Sequence, residues 1–166
     1  MTGTRCIAEN ERLRIAFQLD LCEREFARLQ QVTNRLFAEP VTGERLQGLD
    51  HDAALSEQLD AFSARFGRLQ DALGEKLLPA YFRAEEEPER AMRDLLDRAE
   101  RLELVTSADQ WVRARQLRNR LVHEYVRDRR ALATNLNEAH ALIGLLENTL
   151  GALRRVLKPY LDREPF

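Results

Sequence analysis

Apolar residues recur along this chain at steps of three and four, the spacing that keeps side chains on one face of a helix. Ile15, Leu19, Cys22, Phe26, Leu29 and Leu36 form the first such stripe and predict a helix from about Ala8 to Phe37. Leu55, Leu59, Phe62, Phe66, Leu69, Leu73 and Leu77 form the second, predicting a helix from about His51 to Leu78 with Asp50 as its N-cap. Pro40, Gly43 and Gly48 lie between the two, so Glu39 to Asp50 reads as a linker. Pro79 and the acidic run Glu85-Glu86-Glu87 mark the next break. Pro88 suits the first turn of a third helix carrying Met92, Leu95, Ala99 and Leu102. Ser107 and Gln110 have capping-box spacing and open a fourth helix, from Trp111 to about Val126. A fifth is predicted from near Asp128 to about Leu157, with the stripe Leu132, Leu136, Ala139, Ile143, Leu146, Leu150, Leu153, Leu157 and Pro159 as its stop.

No period-two segment suggests a strand, and no internal repeat is present. The expected architecture is all-α: an antiparallel bundle of about five helices in one domain spanning 1–166. A coiled coil also fits near-heptad stripes, but linkers and unequal helix lengths favour the compact bundle. Composition agrees with this picture. Apolar residues make up 44% and charged residues 33%, with only 7 glycines and 5 prolines among 166 residues. No apolar run approaches the ~20 residues that span a bilayer, and the N-terminus lacks the apolar stretch of a secretory signal. Cys6 and Cys22 form no CxxC pair, and His51, His123 and His140 are scattered. Neither a zinc site nor a cofactor is expected, and a reducing cytoplasmic location is the simplest reading.

The fourth helix changes the picture. At 100° per residue, Trp111, Ala114, Leu117, Leu121, Val122 and Tyr125 share one arc, and Arg118 falls in its middle. An arginine there must either pair with an acid or face a cleft, because a buried unpaired charge is costly. Asn119 and His123 share a neighbouring face, and Arg118 and His123 stand roughly 140° apart. Net charge is -2 overall, yet 113–130 holds seven arginines against Glu124 and Asp128, a local excess of +5. Such an excess is an anion-binding footprint, with Arg115, Arg120 and Arg127 the candidate RNA contacts. These residue types suit phosphodiester cleavage without a metal. RNA supplies its own 2′-OH nucleophile, a histidine of ordinary pKa ~6.5 moves the proton, and an arginine holds the phosphate. Asn119 would orient either group.

The string Arg118-Asn119-Arg120-Leu121-Val122-His123-Glu124-Tyr125 resembles the RX4HXY motif of HepT-like HEPN toxins. The motif also falls late in a helical chain and is followed by a long helix, as in that family. The resemblance implies a HEPN-like bundle dimerising through the motif helix and an endoribonuclease toxin with Arg118, His123 and Asn119 at its catalytic centre. It implies as partners a second copy of the chain, RNA and a minimal nucleotidyltransferase antitoxin, which would silence the toxin by adding AMP to Tyr125. The chain is longer than the most compact relatives. Other readings stay open. Arg118 could be a structural arginine paired across the bundle, His123 a solvated histidine, and Tyr125 a residue packing a helix end. The chain as a whole could be a non-catalytic substrate- or nucleotide-binding subunit of a nucleotidyltransferase, or a plain helical interaction protein. Trp111 is expected in the core and His140 in a structural place.

Overall fold

The computed structural model describes residues 7–123 and 128–162, and of Val122 and His123 the backbone alone. Those residues are helical throughout, joined by short turns, with no strand among them. In chain order the helices are α1 (Glu9–Leu36), α2 (Gly43–Leu46), α3 (Ala53–Asp71), α4 (Leu78–Ala84), α5 (Met92–Arg101), α6 (Ala108–His123), α7 (Arg129–Ala141) and α8 (Ile143–Leu161). A 3₁₀ turn, Gln47–Asp50, follows α2, and a π-helical turn, Ala72–Leu77, joins α3 to α4 without a break. No described helix is long and apolar enough to cross a membrane.

α1, α3 and α8 form the centre of the bundle, with α6 laid on α3 and α7 on α6. α1 runs antiparallel to both α3 and α8. Phe37, at the end of α1, meets Phe62 edge-on at 5.4 Å, while Glu25 further up α1 meets Arg65 and Arg68 at 3.5 Å each. Arg154 on α8 reaches Glu23 at 2.5 Å, and Arg12 near the start of α1 reaches the Leu161 carbonyl at the end of α8. The apolar stripes are the core. Ile15, Cys22, Leu29, Leu36, Leu59, Phe62, Phe66, Leu69, Leu73, Leu77, Leu136, Leu146, Leu153 and Leu157 are fully inaccessible.

Several boundaries differ from those the sequence suggests. Asp50 does not cap α3; it ends the 3₁₀ turn and pairs with Arg129 at 3.3 Å. The cap is Asp52, whose carboxylate accepts from the Leu55 amide at 3.0 Å. The 39–50 linker is folded rather than open. Thr42 caps α2, and the Arg45 guanidinium donates to the Leu36 and Glu39 carbonyls at 2.6 and 2.9 Å. Pro79 does not end the second helical run, which continues to Ala84. A proline clashes with the carbonyl four residues earlier; that residue, Glu75, lies in the π turn, whose wider ring displaces it. α5 begins at Met92, so Pro88 precedes the helix rather than sitting in its first turn. The predicted fifth helix is two, parted at Leu142 (φ -92°, ψ 0°). There the Leu145 amide bonds back three residues to the Leu142 carbonyl at 3.1 Å. Pro159 lies inside the last turns of α8 instead of closing it.

Candidate functional site

α6 carries the motif. Ser107 Oγ accepts from the Gln110 amide at 3.2 Å, so the expected cap is formed, and Glu100 adds a bond to the Ala108 amide at 2.6 Å. The helix then lies unusually close to α3 and the π turn, because two glycines face it. A Cβ on Gly74 would fall 2.9 Å from two atoms of the Trp111 ring, and one on Gly67 would fall 3.1 Å from Arg118 Cγ. Trp111 and Arg118 are seven residues apart on α6, as are Gly67 and Gly74 opposite them. Trp111 is buried as expected, at 1% exposure.

Arg118 lies along this seam with its methylenes over Gly67. Its Nη2 donates to Asp71 Oδ2 at 2.5 Å, and its Nη1 donates to the neighbouring Asn119 Oδ1 at 3.2 Å. About a third of the arginine side chain, 32%, stays exposed, and 28% of Asp71. The arginine in the middle of the apolar arc is therefore paired across the bundle, and it also reaches the surface. Gln70 extends the cluster. With its amide oriented to suit its neighbours, it donates to the other Asp71 oxygen at 3.2 Å and accepts from Trp111 Nε1 at 3.3 Å. Burial pushes the Asp71 carboxyl above its ordinary value, with nearby Glu75 acting the same way, against the pull of Arg118, Arg115 and Lys76.

The other expected residues are spread around the helix. Arg115 is half exposed and pairs with Glu75 at 3.4 Å. Arg120 is exposed. His123 is the last described residue of α6, on the same helix as Arg118 and Asn119; its side chain is not among those described. Tyr125 and Arg127 lie outside the described residues. Around α6 the arginine surplus is largely answered by acids from other elements. Arg113 pairs with Glu138, Arg115 with Glu75, Arg118 with Asp71 and Arg129 with Asp50. Four of the seven arginines are thus neutralised, and the +5 excess read along the sequence shrinks to about +1 in space.

Asp71, Gln70 and Gly67 were not legible as site residues. The available signal was the pair of glycines in the middle of a helical stripe, which cost helix stability and so imply close packing. Elsewhere, His140 stacks on Phe37 at 3.9 Å, and burial holds its pKa below the ordinary value. Among the described residues no three His, Cys, Asp or Glu side chains are grouped to hold a metal ion. No family model matches the chain, and no curated protein or solved structure matches it either.

Proposed function

We propose that this chain is a metal-independent endoribonuclease of the HepT-like HEPN type, acting as a homodimer and controlled by a small nucleotidyltransferase. The observation that carries the reading is the Arg118–Asn119 pair. The guanidinium and amide, groups suited to hold and orient a phosphate, sit at the surface of α6 hydrogen-bonded to each other at 3.2 Å, with His123 following on the same helix. Five residues of helix separate Arg118 from His123, a rise of about 7.5 Å, which suits groups flanking one phosphodiester.

In the proposed reaction the 2′-oxygen attacks phosphorus and the bond to the 5′-oxygen breaks. One imidazole takes the 2′-OH proton, and an acid returns a proton to the leaving 5′-oxygen. The products are a 2′,3′-cyclic phosphate and a 5′-hydroxyl. Arg118 offsets the charge gathered on the non-bridging oxygens. One motif supplies one histidine, so two copies facing each other across a twofold axis would provide both base and acid. Tyr125, two residues after His123, is the proposed site of AMP addition; the added phosphate would compete for Arg118.

In a second reading the same cleft binds without cutting, and the chain is a non-catalytic subunit that presents nucleotide or substrate to a nucleotidyltransferase; Arg118, already neutralised by Asp71, then has no catalytic part. A cleavage assay in excess chelator separates the two. Under the first reading RNA is cut to cyclic-phosphate ends, and His123→Ala lowers the rate by roughly 10²–10⁴. Arg118→Ala is comparably damaging while helicity and dimerisation persist. Undiminished cleavage by His123→Ala, or none by the wild type, sinks the ribonuclease reading.

A further inference from the structure

The guanidinium that would bind RNA already holds an anion. Asp71 Oδ2 lies 2.5 Å from Arg118 Nη2, closer than Asn119 Oδ1, the other acceptor of the arginine among the described residues. The guanidinium cannot simply turn away. Its Nε edge faces the α3 backbone, 3.5 Å from the position a Cβ on Gly67 would take, and its Nη1 is bonded to Asn119. The outer Nη edge is what remains for a phosphate, and Asp71 occupies part of it.

We infer that Asp71 is the resident counter-ion of the Arg118 seat, and that an RNA phosphate binds by taking its place. The inference rests on the ribonuclease reading for the identity of the incoming anion. Three observations support displacement over permanent pairing. The carboxylate is held through a single oxygen, since Gln70 occupies the other one. Asp71 is crowded by Glu75, which shares Arg115 as a neighbour. Its carboxyl is pushed up rather than down, so burial and Glu75 outweigh the attraction of Arg118. A counter-ion in that position is ready to give up its arginine, whereas an oxygen of a phosphodiester brings its charge without the cost of burying a carboxylate. Arg115 and Glu75 sit beside the exchange, and Arg115 would follow the phosphate once Asp71 moves aside.

The test is anisotropy with a fluorescent 2′-O-methyl RNA oligonucleotide, which binds but has no 2′-OH to react. Asp71→Asn removes the competing charge and keeps the shape. It should bind up to about fivefold tighter than wild type at low salt, the range of a partly exposed ion pair. The gain should fade as salt rises and vanish in the double variant Asp71→Asn, Arg118→Gln. Equal or weaker binding by Asp71→Asn overturns the inference, as does an absence of binding by both proteins. If that variant is misfolded by circular dichroism, Asp71→Ser is measured instead, and failure of both to fold would make Asp71 a structural counter-ion. Tighter binding without cleavage of ordinary RNA leaves this inference standing and defeats the ribonuclease reading. Cleavage dependent on His123 with no gain in Asp71→Asn does the reverse.

Discussion

Gly74→Ala tests the close approach of α6 to the π turn, on which the position of Arg118 depends. The added methyl would lie 2.9 Å from Trp111 Cζ2 and Nε1 and 3.2 Å from Cε2. Ordinary carbon contacts lie at about 3.5–4.0 Å, so the overlap is roughly 0.6–1 Å. The indole cannot swing clear, being 1% exposed and bonded through Nε1 to Gln70. Either the helices separate or the ring leaves its rotamer, at about 1–3 kcal/mol, with up to about 1 kcal/mol more if the Gln70 bond breaks. Alanine returns at most about 1 kcal/mol of helix propensity. The net expectation is a loss of roughly 1–3 kcal/mol, or about 2–12 °C in Tm for a chain of this size. Gly151→Ala, in α8 with no heavy atom within 4 Å of the new methyl, is the control. It should gain about 0.5–1 kcal/mol from the same chemical change. Urea unfolding of both variants reads the two signs side by side. A Gly74→Ala protein as stable as Gly151→Ala would mean that α6 does not approach the π turn so closely.

Two further outcomes follow from burial. Cys22 is inaccessible, and burial, helped by Glu23 and Glu25, pushes its thiol up to about 12. Alkylation of Cys22 at pH 8, followed by peptide mass mapping, should therefore occur only in denaturant; rapid labelling of the native protein contradicts that placement. His140 should titrate below 6.5, because Phe37 covers one ring face. The unfolded chain then binds more protons between the folded midpoint and 6.5, so this group's contribution to stability rises with pH there and is lost as pH falls. Phe37→Ala should move the midpoint, read by NMR, back toward 6.5, and an unmoved midpoint refutes the stacking account.

How much of the fold was legible depended on which signal each boundary leaves. The stripes of α1, α3, α7 and α8 are the buried core almost residue for residue, because burial selects the same spacing that the eye detects. The break at Leu142 leaves no mark in that spacing. Ala139, Ile143 and Leu146 continue the alternation of threes and fours straight through it, and no proline stands there. Pro79 misleads in the opposite direction, since a π turn accommodates it. The 39–50 segment reads as open from Pro40, Gly43 and Gly48. It is fixed by Arg45 and by Asn137, whose amide donates to the Val41 carbonyl at 2.8 Å. Side-chain bonds of that reach cannot be seen in composition.

The site divides along the same line. That Arg118 needed a partner was deducible from its place in an apolar arc, but the partner stands 47 residues earlier in the chain. A window along one helix counts only the charges that helix carries, whereas a substrate meets the charges that folding brings together. Asp50, Asp71, Glu75 and Glu138 come from four elements, the 3₁₀ turn, α3, the π turn and α7, and answer four arginines of the 113–130 stretch. The positive field of this face is therefore weaker than the sequence suggests, and Arg120, exposed and without an ion pair to any described residue, carries more of it. Affinity would then have to come from exchange at Arg118 as much as from a standing field. That distinction is measurable, because a field weakens with salt whatever stands at position 71, whereas the contribution of exchange depends also on the side chain there.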